Sequence, residues 1–283
     1  MKNLLTVIIV SFHSENIIEN AIKSINRKKY KILVIDNANS LNLKKTLENK
    51  YKNITVLNSI DNLGFGRSIN LAIQKIKTPF SFYLSADAVL KKKSLEYILN
   101  YAVKNTDWVI LTPRVINTAT PEINIIKKDY KKDIDSINFT QGCAFFFNNN
   151  VIKKIGGFDK NIFLYYEDND FFLRCLKTKK KILVINKATV LHKGNSSVDR
   201  QFNYEIELNR NWHLMWSKFY FYKKNFSIIT AYKKTLRSFF SSIIKIIYYK
   251  FINEKKYFIY LNRFNGLLNS YMNKKSSRRP KTN

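Results

Sequence analysis

The chain has 283 residues, 45% of them hydrophobic, with only 7 Gly and 4 Pro. That is enough apolar material for one substantial core, and it excludes a low-complexity or disordered chain. Lys and Arg number 50 against 20 Asp and Glu, a net charge of +30. This field favours polyanions: nucleic acid, anionic lipid headgroups or phosphorylated small molecules. Cys143 and Cys175 form neither a disulfide framework nor a metal pattern, as in a reducing compartment.

LLTVIIV (4–10) reads as a buried first strand; the β-branched run of MKNLLTVIIVSFHS lacks the small-residue cleavage site of a signal peptide. Ser14 is placed to cap a helix with Ile18, Ala21, Ile22 and Ile25 on one face. KILVID (31–36) and ITVLN (54–58) are the next strands, Ser68 to Ile76 is helical, and FSFYLSAD (80–87) is the fourth strand. A helix follows from Ser94, then a strand, DWVILT (107–112). Strands alternating with helices at this pitch predict a doubly wound, mainly parallel α/β sheet, whose ligands bind beyond the carboxyl ends of the strands. Those ends carry Ser11 and His13, Asp36 and Asn37, and Ser85-Ala86-Asp87.

Further on, FTQGCAFFF (139–147) reads as a strand with Gly142 in its path, and ILVINKATVL (182–191) as a long strand or a strand pair ending at His192. Between them, FLYYEDNDFFLRC (163–175) packs Glu167, Asp168 and Asp170 among aromatics. Adjacent carboxylates repel and are penalised by burial. One acid suffices to cap a helix, so three point to chemistry; Asp170, four residues before Arg174, is the structural one.

The series VIDNAN, NLGFGRSIN, YLSAD, GGFD, YYEDNDFFLR and LHKG resembles the family 2 inverting glycosyltransferases of the GT-A fold, and within them the bacterial rhamnosyltransferase-like branch. The likeness runs from residue 4 to about 222, with a weaker echo in RFNGLLNSYM. It implies a nucleoside-diphosphate sugar donor, dTDP-rhamnose by branch, and a hydroxyl acceptor on a cell-surface polysaccharide or lipid-linked glycan. Ser11, His13, Asp36, Asn62, Gly64 and Arg67 would bind the nucleotide. Asp87 and His192 would hold Mg²⁺ or Mn²⁺ on the diphosphate, although Ser85 stands where relatives carry a second carboxylate or an asparagine. Asp168 would be the general base and Glu167 would orient the acceptor, with Gly142 and Tyr166 near a sugar.

The resemblance divides the chain into a catalytic domain (1–222) and a basic extension (223–283) carrying fifteen bases and one acid. There, Lys234, Arg237, Ser241 and Lys245 share one helical face, and Leu236, Phe239, Phe240, Ile243 and Ile247 the other. Such a helix either lies on an anionic membrane surface or packs on the catalytic domain. The first option gives a cytoplasmic protein, peripheral on the inner face of the plasma membrane, whose KKSSRRPKTN end is a disordered polybasic tail. Three rivals stand beside this reading. A nucleic-acid-binding protein fits the charge but shows none of the usual motifs, so nucleic acid is not expected as a partner. A nucleotidyltransferase would place a Gly-rich basic loop where SFHSEN stands. An inactive scaffold is kept open by Ser85.

Overall fold

The computed structural model describes residues 4–117, 133–140, 142–194 and 198–281. Gln141, inside the strand expected at 139–147, and the last two residues of the tail lie outside the described residues. The chain forms two compact units. One comprises residues 1–63, 68–157 and 171–199; the other comprises 64–67, 158–170 and 200–283.

The first unit is a sheet of nine strands among the described residues. Its left half is β1 (Leu5–Ser11), β2 (Lys31–Asp36), β3 (Ile54–Asn58) and β4 (Phe80–Leu84), all parallel in the order β3-β2-β1-β4. Helices α1 (Ile18–Ser24), α2 (Leu41–Lys50) and α3 (Gly64–Lys75) make the crossovers. Five consecutive buried residues in each of β1 and β2 are what a sheet covered on both faces requires. The right half is mixed. β8 (Ala144–Asn148) runs antiparallel between β4 and β6 (Trp108–Asn117), and β9 (Lys181–His192) is parallel to β6. β5 (Ala88–Leu90) and β7 (Ile134–Ile137) pair antiparallel with β9. Helix α4 (Ser94–Lys104) follows β5, and α5 (Asn149–Ile155) follows β8.

Two local expectations change. The Ser14 side chain bonds the backbone of Phe12 rather than capping α1, while its carbonyl accepts from Ile17 and Ile18. The chain makes a turn first, so the helix starts later, at Ile18. Gly142 lies in a turn ahead of β8 and not inside a strand, which starts only at Ala144. The 182–191 segment is one long strand ending at His192.

The second unit is helical. α7 (Asn203–Asn225), α8 (Ile228–Tyr249) and α9 (Glu254–Tyr271) pack around Met215, Phe219, Ala231 and Leu267, and α7 runs unbroken through residue 222. Gly266 lets α9 lie directly on α7: a Cβ there would stand 2.2 Å from the Trp212 carbonyl oxygen. On α8, Phe239 turns inward against Phe264 and Tyr271 instead of joining the outer apolar face, because Ala231, Thr235 and Ser242 already set the inner stripe. Outward lie Ile229, Leu236, Phe240, Ile244 and Ile247, each between 41% and 66% exposed.

The tail is not disordered over its described part. Trp216 donates to the Lys274 carbonyl at 3.0 Å, and Arg278 reaches Glu205 at 3.0 Å. The Arg279 guanidinium covers Phe163, 3.8 Å from the ring centre. His213, fully buried, bonds the Arg278 carbonyl through Nε2 (2.9 Å) and Ser276 Oγ through Nδ1 (3.0 Å). A carbonyl only accepts, so the proton sits on Nε2 and Nδ1 accepts from the serine hydroxyl. Desolvation depresses this histidine to about 3, with the cations Arg279, Arg278 and Arg67 adding to it.

Candidate active-site residues

Ser11 and Asp36 are register partners at the ends of β1 and β2, and both are fully buried. The Asp36 carboxylate accepts from the Ser40 amide at 2.7 Å and the Ala38 amide at 3.3 Å. Burial raises its pKa, and the two amides partly offset the rise. Asn37, the next residue, ties this strand end to the approach to α3: its Oδ1 accepts from the Leu63 amide (3.1 Å) and its Nδ2 donates to Ser68 Oγ (3.0 Å). The signal for Asn37 in the sequence is its place directly after the strand aspartate. His13 takes up left-handed backbone, φ +48°, packs edge-on to Phe12, and its carbonyl accepts from the Asp199 amide at 2.9 Å. Asn62 precedes α3 in this same unit.

Asp87 follows β4 and is buried. Ser85 Oγ donates to its Oδ1 at 2.5 Å, and His192 Nε2 lies 3.3 Å from the same oxygen. The antiparallel pairing of β5 and β9 puts Ala88 opposite His192, which is why residues over a hundred positions apart meet. Among the described residues no group of three or more His, Cys, Asp or Glu side chains is arranged to hold a metal ion. One carboxylate and one imidazole fit a hard divalent ion whose remaining ligands are phosphate oxygens and water.

The second unit holds Gly64, Arg67, Tyr166, Glu167 and Asp168. Gly64 has φ +73°, and a Cβ there would stand 2.3 Å from the Phe163 carbonyl oxygen, so the turn and this close approach both demand glycine. Arg67 is half-buried, with its Nε enclosed and unpartnered among the described residues.

Helix α6 (Glu167–Leu176) begins on the acidic cluster, with Glu167, Asp168 and Asp170 all in its first turn, where the helix dipole favours them. Their fates differ. Asp170, fully buried, is neutralised by Lys224 at 2.7 Å and bonded by Asn225 at 3.0 Å, while Arg174 donates to the carbonyls of Ile155 and Gly157. Asp168 is half-buried and accepts from the Asn169 amide at 2.8 Å; burial raises its pKa. Glu167 is buried, and its Oε2 has no partner among the described residues. Desolvation first, then the Asp168 charge, hold Glu167 well above the ordinary carboxylate range.

Tyr165 and Tyr166 lead into this turn with φ of +63° and +64°, a pair of left-handed non-glycine residues that sequence reasoning missed. Such conformations cost of order 1–3 kcal/mol each and collect at functional sites. The Tyr166 ring packs on Phe221 and Tyr222, and burial pushes its hydroxyl up to about 12.

Residues 6–169 match the glycosyl transferase family 2, described as "Glycosyl transferase family 2", and the chain belongs to that family. It is 23% identical over 198 residues to the teichoic acid poly(glycerol phosphate) polymerase of Staphylococcus epidermidis; the match takes 65% of this chain and only 27% of that one, so the chain spans about a quarter of that relative. It is 21% identical to the low-salt glycan biosynthesis hexosyltransferase Agl10 of Haloferax volcanii, over 74% of each chain. In structure it resembles the mannosyltransferase PcManGT of Pyrobaculum calidifontis, solved with GDP-Man and Mn²⁺, at a TM-score of 0.60 and 11% identity, covering 97% of this chain and 88% of that one. The fold is that of the GT-A glycosyltransferases.

Proposed function

We propose that the protein is an inverting glycosyltransferase that moves one sugar from a nucleoside-diphosphate donor to a hydroxyl of a glycan acceptor. The observation that carries this is the Glu167–Asp168 pair: two adjacent carboxylates at the start of α6, both with raised pKa, one oxygen left unpartnered in a buried setting. A carboxylate so placed takes a proton near neutral pH more readily than one in water. In the reaction the acceptor O–H gives its proton to Asp168 while its oxygen bonds the anomeric carbon from the face opposite the diphosphate. The bond from that carbon to the diphosphate oxygen breaks, and the nucleoside diphosphate leaves with the electron pair. Glu167 orients the acceptor hydroxyl, and Tyr166 and Gly142 flank a sugar.

Ser11, His13, Asp36, Asn62 and Gly64 hold the nucleoside in this reading, and Arg67 supplies positive charge. Asp87 and His192 would hold Mg²⁺ or Mn²⁺, which supplies charge neutralisation for the leaving diphosphate. The donor to test first is dTDP-rhamnose, on the strength of the motif resemblance. The acceptor in this reading belongs to a cell-surface polysaccharide or a lipid-linked glycan, reached from the cytoplasmic face of the plasma membrane. Residues 1–222 are then the catalytic part and 223–283 the membrane-facing extension. The exposed apolar stripe of α8, with Lys233 and Arg237 beside it, supports docking on anionic lipid. No helix among the described residues is long and apolar enough to cross a membrane.

The test is thermal stabilisation of the protein by dTDP, UDP, GDP and CDP, each with and without Mn²⁺. A shift with one nucleotide, enlarged by Mn²⁺ and lost in Asp87→Ala, supports the reading. Stabilisation by random oligonucleotides alone would replace it with nucleic-acid binding.

A further inference from the structure

The helical unit carries an open cleft of about 700 Å³, within the size range of small-molecule sites. Its floor is the half-buried Tyr220 ring, stacked on Trp216 with ring centres 5.0 Å apart and planes 16° from parallel; Trp216 and Phe219 behind it are buried. Its rim is cationic: Lys160, Lys223, Lys274, Lys275, Arg279 and Arg67. Lys224 also lines it but is neutralised by Asp159 and Asp170, each at 2.7 Å. No Asp or Glu is among the lining residues.

The fold engages Lys223, on Asn273, and Arg279, on the Ser276 and Arg278 carbonyls, whereas Lys160, Lys274 and Lys275 carry no ion pair among the described residues. The chain contributes the rim from four distant segments, and the tail closes one side because Trp216 holds the Lys274 carbonyl and His213 holds Ser276 and Arg278. Lys160 and Lys275 are exposed at the lip. Like charges around one concavity repel and focus a positive potential into it. The Tyr220 ring beside ammonium groups, with the exposed Ser277 in the wall, matches a ligand that pairs a sugar or polyol face with a phosphate.

We propose that this cleft is an anion subsite for the acceptor, binding a phosphate group carried by the acceptor chain. The proposal rests on the transferase reading for the word acceptor; the anion site itself does not. Two sources share this chemistry: the phosphodiester of a polyol-phosphate chain, and the diphosphate of a lipid carrier. Arg67 stands both on this rim and in the nucleotide assignment above, so the test avoids it and uses the lip lysines.

The experiment is calorimetric titration of the full chain with a synthetic glycerol-phosphate trimer and, separately, with farnesyl diphosphate. dTDP and UDP are titrated in parallel. At least one of the two acceptor-type probes should bind, with affinity falling as salt rises, and whichever binds names the source. The double variant Lys160→Ala/Lys275→Ala should weaken that probe tenfold or more while nucleotide affinity stays within twofold. Ser277→Asp, which sets a carboxylate in the wall, should do the same without removing any side chain the fold uses. The proposal is overturned if neither probe binds, if both variants leave probe affinity unchanged, or if nucleotide binding falls in step with the probe, which would give the cleft to the donor. Probe binding without any nucleotide binding would leave the subsite standing as an anion site and remove the transferase reading instead.

Discussion

The two compact units treat their acidic residues in opposite ways. In the sheet unit, each candidate carboxylate is already held: Asp36 by two turn amides, and Asp87 by Ser85 and His192. In the helical unit, Asp170 is fully neutralised by Lys224, but Glu167 keeps a buried oxygen without a partner, and Asp168 receives one amide. Held carboxylates suit fixed binding, in which a ligand adds to an existing network. An under-satisfied pair suits proton transfer, because it gains most when a hydroxyl or a proton arrives. Substitutions that remove charge without changing shape therefore separate the two regions.

The largest expected effect is on rate. Asp168→Asn keeps the side-chain volume and the first turn of α6 but cannot take a proton, so transfer should fall by roughly a hundred- to ten-thousand-fold. Nucleotide-induced stabilisation should stay near that of the parent. If nucleotide binding is lost as well, Asp168 belongs to the binding network, and the contrast between the units collapses.

Next in size is the helical core. Gly266→Ala forces α9 away from the Trp212 carbonyl, from which the new Cβ would otherwise stand 2.2 Å. Overpacking at such a crossing costs about 1–3 kcal/mol, read as a lower denaturation midpoint. The acid response of His213 is similar in scale. Its folded pKa is about 3 against an ordinary 6.5, so below 6.5 the unfolded chain binds the extra proton first and stability falls as the pH drops toward 3. The slope approaches about 1.4 kcal/mol per pH unit. His213→Gln should flatten it, and an unchanged slope would mean that the tail releases the ring before the unit unfolds.

Much of the sheet unit was legible in the sequence, and for a local reason. Buried β-branched runs such as LTVIIVS and KILVID, alternating with short helical patterns, encode a covered parallel sheet without reference to distant residues. Ser94 and the α6 acids likewise marked or lay near helix starts. What escaped was non-local. That His192 and Asp87 belong together rested on the family resemblance and on no local pattern, since their meeting depends on an antiparallel register between β5 and β9. The polybasic end read as free chain because its anchors, His213, Trp216 and Glu205, lie over fifty residues earlier. The left-handed pair Tyr165-Tyr166 runs against residue preference, so propensity points away from it.

The smallest effects are the most discriminating, because the two units should respond with opposite signs. Burial raises both Glu167 and Asp36. For each, the folded state holds its proton to a higher pH than the unfolded state, so each lowers stability as pH rises above the ordinary carboxylate value. Glu167 has little to set against that cost, since Oε2 is unpartnered among the described residues. Glu167→Gln, neutral at every pH, should therefore raise stability at pH 7 by about 1 kcal/mol, with the gain vanishing near pH 4, where the parent is protonated in both states. Asp36 accepts from two amides, and an asparagine in its place has only one acceptor oxygen for two donors. Asp36→Asn should then lower stability at pH 7 by about 1 kcal/mol. Urea midpoints of the two variants at pH 4 and pH 7 decide the matter. Equal signs at pH 7 would mean that Glu167 is held as firmly as Asp36, and the first turn of α6 would be a cap rather than a site of proton transfer.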